Sequence, residues 1–267
     1  MKNKLTGNIH PAVAAVWAAV VAAGHLLPTI PIIGTTAVFS LASALSPLSG
    51  ILFGPMAGFI CSALGGYIGS LIAPHTAWMG PGTFIIGAVT AFTSGCIAWG
   101  KWPPVTVGAN GGFIINGGII VYIAGTALWF TQQAGRSFIY FPLVYYGAGF
   151  IAMIAGIIFA PRMFKSRSRL LKFPAIWMCA FGGLVGGATL GNFFHLILAK
   201  PPKEFWAAMT VIAPVERAVF ALGAALIGSP LLYGLNKTGI FAGPQNKEDE
   251  EFTAHQSGGE HEVTQSE

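Results

Sequence analysis

The chain has 267 residues, 54% of them hydrophobic and only 9% charged, with a mean hydropathy of +0.68. Soluble domains carry about 25% charged residues, so these figures exclude a soluble fold and describe an all-α, polytopic helical membrane bundle. The formal net charge of +5 hides a split: residues 1–244 hold thirteen Lys/Arg against Glu204 and Glu216, and residues 245–267 hold Lys247 against seven acids. The basic balance belongs to loops at a membrane surface and gives no footprint for nucleic acid. Residues 1–244 read as a single transmembrane helical domain, and 245–267 as a disordered, acidic cytoplasmic tail.

The first span is expected over Pro11–Leu27. Lys2 and Lys4 before an apolar run have the outline of a signal peptide, but the many later spans make an uncleaved first helix the expectation. Ala14, Ala18 and Ala22 recur every fourth residue, as do Ala15, Ala19 and Ala23. Such small-residue ridges let helices approach closely in lipid. The Ala14/Ala18/Ala22 ridge either packs on the chain's own helices or docks another membrane subunit.

Thr35–Pro74 follows, forty residues without one Asp, Glu, Lys, Arg, His, Asn or Gln. One crossing needs about 20 residues, and Gly54-Pro55 in the middle is a strong breaker. Two helices are therefore expected, over roughly 36–53 and 56–73. Further spans are expected at Phe84–Trp99, Gly108–Phe130, Phe141–Ala160, Pro174–Leu198 and from Pro214 to about Leu235. The seventh carries two offset glycine ridges, Gly182/Gly186 and Gly183/Gly187/Gly191. The total is about eight transmembrane spans, with six or seven as alternatives.

Charge orders the topology. With eight spans, ten Lys/Arg gather on the side of both termini, and only Arg136, Lys200 and Lys203 on the other, with Arg217 at the border. Cytoplasmic loops carry the excess of Lys/Arg, so both termini are expected in the cytoplasm of a multi-pass cell-membrane protein. The loops around 28–36, 74–83, 131–140 and 199–216 then face outward.

Little in the sequence supports catalysis. Glu204 and Glu216 are the carboxylates of the membrane body and neither is expected mid-span, which argues against a proton relay and against an enzyme. The histidines show no ligand spacing, and Cys61, Cys96 and Cys179 all lie in apolar runs. No metal site and no cofactor are expected. Gly95–Lys101 imitates half of a phosphate loop, but Trp102 stands where Ser or Thr is required. The remaining polar and aromatic groups near the outer face are His75, Trp78, Asn116, Gln132, Gln133, Arg136, Tyr140, Asn192, His195, Glu216 and Arg217. From these, Trp78, Asn116, Gln132, Arg136, Asn192, His195, Glu216 and Arg217 are the candidate substrate-binding residues. Arg136 and Arg217 suit an anionic group, because Arg grips a carboxylate bidentately.

One further pattern stands out. The alanine ridge is followed by Leu27-Pro-Thr-Ile-Pro31, Leu52-Phe-Gly54-Pro55-x-x-Gly58, Leu64-Gly-Gly-Tyr67-Ile-Gly69 and Met79-Gly80-Pro81-Gly82. Together these motifs resemble the substrate-binding (S) subunits of energy-coupling-factor (ECF) vitamin transporters, biotin-type members most of all, over roughly residues 10–102 and more weakly to 160. The resemblance implies six helices that capture a vitamin-like solute on the outer side. It also implies a separate transmembrane coupling subunit and ATPase subunits, the coupling subunit meeting the alanine face of the first helix. With eight spans counted, the hairpin 174–235 is additional to that pattern, or the count is lower. Two rival readings are a membrane scaffold without transport and a channel for a neutral solute lined by Asn110, Asn116 and Asn192.

Overall fold

A computed structural model describes residues 10–32, 36–100, 105–107, 113–166, 168–237 and 243–244. Helix α1 (Pro11–Gly24) leads into an antiparallel ladder of β1 (Pro28–Pro31) and β2 (Val38–Ser40). Helices α2 (Ala42–Phe53) and α3 (Pro55–Ile72) follow, then a 3-10 turn at Pro74–Thr76, β3 (Trp78–Pro81) and α4 (Phe84–Trp99). A second ladder, β4 (Val105–Val107) with β5 (Phe113–Ile115), precedes α5 (Gly117–Thr131) and the short α6 (Gln133–Ser137). A π-helical turn at Pro142–Tyr146 opens α7 (Gly147–Lys165), and α8 (Arg169–Leu198) and α9 (Lys203–Lys237) complete the bundle.

The protein is a helical membrane bundle. Among the described residues, five stretches are long and apolar enough to cross a bilayer: Pro55–Ile72, Gly80–Trp99, Pro142–Lys165, Leu170–Leu198 and Lys203–Asn236. The apolar helices α1, α2 and α5 are shorter. Exposed Leu64, Ile68, Leu71 and Ile123 give the outer surface an apolar character suited to lipid.

The long apolar run does break in two. Gly54 has φ +88°, a conformation glycine adopts without steric cost, and Pro55 takes the first helical position, where its missing N–H is no loss. Helix α2 starts later than expected, at Ala42, because Val38–Ser40 pair with the strand before them. The fifth span also starts later, at Gly117 rather than Gly108. Residues flanking 108–112 pair as a hairpin, and Asn116 caps the helix; residues 108–112 themselves, with Asn110, lie outside the described residues, as does the acidic tail 245–267. Helix α9 runs the other way. It begins at Lys203, with Pro214 and Pro230 inside it, so Pro214 is no boundary. Glu216 and Arg217 therefore sit about 20 Å along a helix of about 52 Å. That corrects the expectation that Glu216 stands at a span's edge.

Helix α8 forms the centre. A Cβ at Gly183 would stand 2.8 Å from Ser94 Cβ, one at Gly186 2.7 Å from Thr93 Cγ2, and one at Gly182 2.9 Å from Ile97 Cδ1. Both glycine ridges thus face inward, mostly on α4. The alanine ridge of α1 is also turned inward: Ala18 and Ala22 are buried, and the Ala14 carbonyl accepts from Cys61 Sγ at 3.6 Å. The small residues α1 exposes are Ala12 in its first turn and Ala15, Ala19 and Ala23 along one face. Packing on α3 has taken the Ala14/Ala18/Ala22 face, because Gly65 leaves room for it there.

The bundle has two distinct ends. One gathers Gly54, Gly100 and Asn116: Trp99 Nε1 donates to Ile51 O at 3.2 Å, and Asn116 Nδ2 to Cys96 O at 2.7 Å. The other gathers the β1–β2 ladder, Pro74–Pro81, α6 and the α8–α9 link, where Trp129 and Trp206 meet with centroids 4.7 Å apart. The cavity described next lies toward this second end.

Candidate functional site

The cavity lies between α2, α3, α4, α8 and α9, under the β1–β2 ladder, and encloses about 140 Å³ open to the centres of water molecules. Each wall follows from local structure. The C-terminal half of α8 supplies Asn192 and His195 on successive turns of one face, while α9 brings Phe205, Trp206, Glu216 and Arg217. The strand after the 3-10 turn brings Trp78, and α2 and α3 bring Ser43, Ser46 and Ser62.

Rings make one side of it. His195 lies with its ring centroid 5.1 Å from Trp78, 5.0 Å from Phe205 and 5.9 Å from Trp206. Polar groups make the other. Arg217 Nε donates to Tyr145 Oη at 3.1 Å, and its guanidinium carbon stands 4.6 Å above the centre of the Phe39 ring. Asn192 Nδ2 donates to Tyr146 Oη at 3.4 Å. Tyr145 and Tyr146 are consecutive residues of the π-helical turn, and together they brace one cavity residue from α8 and one from α9.

Unused hydrogen-bonding capacity is concentrated here. Five buried side-chain polar atoms among the described residues have no partner: Ser62 Oγ, Tyr122 Oη, His195 Nε2, Trp206 Nε1 and Glu216 Oε2. Four of the five belong to residues lining the cavity. Buried polar groups are nearly always paired, so four unpaired ones on residues of one cavity wall set this region apart from the rest of the bundle.

At the rim, His25 caps α1 and its Nδ1 lies 2.9 Å from Thr76 Oγ1. Burial, and secondarily the neighbouring His75, hold its pKa below the ordinary histidine range.

Of the eight residues expected to bind substrate, five line the cavity: Trp78, Asn192, His195, Glu216 and Arg217. The other three lie elsewhere. Asn116 is at the opposite end, its Oδ1 accepting from Gly118 N at 2.8 Å and its amide bonded to the carbonyls of Cys96 and Gly100. It is a helix cap, fully used. Gln132 and Arg136 are at the cavity's end of the bundle but outside its wall, bonded to Thr131 Oγ1 and Thr131 O. Reading the sequence missed Ser62, Phe205 and Trp206. Phe205 and Trp206 follow the Lys-rich link directly, and their aromatic character was the signal. Ser62 gave none. No group of three or more metal-ligating side chains occurs among the described residues.

Residues 9–129 match the family model described as "ECF-type riboflavin transporter, S component". The match covers a little under half of the chain, and its description names riboflavin where the motif pattern suggested biotin-type members. No curated protein and no solved structure matches the chain.

Proposed function

We propose that this chain is the substrate-binding (S) component of an ECF-type transporter. It captures a small vitamin-like solute in the cavity between α2–α4 and α8–α9, for uptake driven by separate coupling and ATPase subunits. The observation that carries this reading is the hollow itself, walled by Trp78, His195, Phe205 and Trp206 on one side and lined by Asn192, Glu216 and Arg217 on the other. A scaffold would need no such hollow. The family match over residues 9–129 supports the same reading and makes riboflavin the first solute to test.

On this reading the outward side is the end that carries the cavity, where Arg136, Lys200 and Lys203 lie. The Lys/Arg-rich end, with Arg162, Lys165 and Lys237, is cytoplasmic, as the positive-inside rule requires. The solute enters past the β1–β2 ladder and His25. The exposed Ala15/Ala19/Ala23 face of α1, smooth enough for close helix contact, meets the coupling subunit.

The test is equilibrium binding of riboflavin to detergent-purified protein, followed through tryptophan fluorescence, with mass spectrometry of any co-purified solute. Pull-down from a host that expresses a coupling module completes it. Quenching with saturation and recovery of the module support the reading. Absence of any bound solute together with no recovered ATPase overturns it.

A further inference from the structure

At the end of the bundle opposite the cavity, the link between α7 and α8 concentrates positive charge that nothing in the bundle balances. We propose that this patch is an interaction surface whose partner is the chain's own acidic segment, residues 245–267. That segment lies across the patch in cis, through Glu248, Asp249, Glu250 and Glu251. The inference goes beyond the function proposed above and is independent of what the cavity binds.

Charge is the first observation. Arg162, Lys165, Arg167, Arg169 and Lys172 fall within eleven consecutive residues with no acid among them. Arg162 and Lys165 are exposed in the last turn of α7, Arg169 opens α8, and Lys172 is half-buried one turn further on; Arg167 lies outside the described residues. The first turn of α8 carries no acid and Ser168 makes no side-chain cap, so the positive end of the helix adds to the patch instead of offsetting it. Residues 1–244 hold two carboxylates, Glu204 and Glu216, and both lie in the first half of α9, away from the patch. The matching counter-charge in this chain is the set of seven acids in 245–267, opposed there by Lys247 alone.

Placement is the second. Gly243 is buried, and its N–H donates to Leu52 O at 2.7 Å. Its φ of +81° is a left-handed conformation that glycine adopts freely. The acidic segment therefore leaves the bundle beside the α2–α3 turn. From there the contacts run to Trp99, whose Nε1 donates to Ile51 O at 3.2 Å, and to Gly100, where a Cβ would stand 3.9 Å from Pro161 Cγ. This path makes two helix-to-helix steps, about 16–20 Å in all. An extended chain gains at most about 3.6 Å per residue, so Glu248 reaches about 18 Å from Gly243 and Glu251 about 29 Å. The acidic run spans the required distance.

Tethering supplies what single contacts lack. Exposed ion pairs are individually weak, but a segment joined to its site by a short stretch of chain is present at about millimolar local concentration. An anionic phospholipid headgroup would neutralise the same residues without that advantage, and the test separates the two.

The test is amine footprinting of the full chain, purified in a neutral detergent without added lipid. A water-soluble N-hydroxysuccinimide ester is applied, and labelling of Lys165 and Lys172 is followed by peptide mass spectrometry. Lys200 and Lys203, at the cavity end, are the internal controls. The variant Glu248→Gln/Asp249→Asn/Glu250→Gln/Glu251→Gln neutralises the run and alters no residue of the bundle. Labelling of Lys165 and Lys172 is expected to rise at least about twofold on the variant, the protection lost when a tethered segment at about millimolar local concentration leaves a site of millimolar affinity. The same rise is expected for the wild type in salt of about 1 M, where the Debye length falls to about 3 Å. Neither change should move Lys200 or Lys203. Carbodiimide treatment of the wild type should join Lys165 or Lys172 to an acid of 248–251 within a single chain. Equal labelling of Lys165 and Lys172 in wild type and variant overturns the inference. Protection that ignores the variant and arises only with added phosphatidylglycerol overturns it as well, because the occupant is then a lipid headgroup.

Discussion

Tyr145 holds Arg217 in place, and that bond is the most exacting single contact near the cavity. The phenol is fully buried and accepts from Nε at 3.1 Å. Tyr145→Phe leaves a buried guanidinium N–H without an acceptor, which costs about 1–3 kcal/mol. A lower midpoint in thermal unfolding and weaker solute binding are expected together, whereas Tyr140→Phe, at an exposed site, should change neither. His25 gives a pH dependence. Its folded pKa lies below the ordinary value of about 6.5. The unfolded chain therefore binds the proton first as pH falls, and stability drops from about pH 6.5 down to the folded pKa, then levels. Unfolding midpoints at pH 8 and pH 5 should differ less for His25→Gln than for the wild type. Residue roles were only partly legible in the sequence. His195, Glu216 and Arg217 are rare polar groups in an apolar chain and stand out. Asn116 stands out equally, yet it is a cap; its role depends on the carbonyls of Cys96 and Gly100 reaching it from another helix, which no local pattern reveals.

Close helix contact decides the element scale. At Gly183 a Cβ would stand 2.9 Å from Ser94 Cα, so Gly183→Val forces α8 away from α4 and should cost about 1–3 kcal/mol or more. Gly234→Ala, with nothing within 4 Å of the added carbon, is the neutral control, both read by thermal unfolding in detergent. The two alanine ridges of α1 separate in the same way. Ala18→Leu overfills the α1–α3 contact and should destabilise the isolated chain. Ala19→Leu lies on the exposed face and should leave stability alone while abolishing co-purification with a coupling subunit. The reverse pattern would remove the Ala15/Ala19/Ala23 face as a docking surface. Elements set by backbone chemistry were readable in advance. Gly54-Pro55 ends one helix and starts another because of their own torsions. Pro214 misled for the opposite reason: in a membrane bundle, neighbouring groups can satisfy the freed carbonyl, so the helix runs through it. The β1–β2 ladder was likewise hidden in an apolar stretch that reads equally well as helix.

At the scale of the whole molecule, the antiparallel order of the helices gives sidedness a direct test. The ends are chemically unlike: the cavity, Arg136, Lys200 and Lys203 share one, and Arg162, Lys165 and Lys237 the other. Three native cysteines, Cys61, Cys96 and Cys179, are all buried and should give little background labelling. Ser137 is exposed at the cavity end and Ser168 is exposed at the opposite end, between α7 and α8. A membrane-impermeant maleimide added to intact cells should therefore label Ser137→Cys, and label Ser168→Cys only after permeabilisation. Uptake demands that order, because a capture site must open to the side the solute comes from. The inverted result would put the cavity on the cytoplasmic side against the Lys/Arg distribution. It would leave the family likeness of residues 9–129 in place while removing the physical basis for import by this chain.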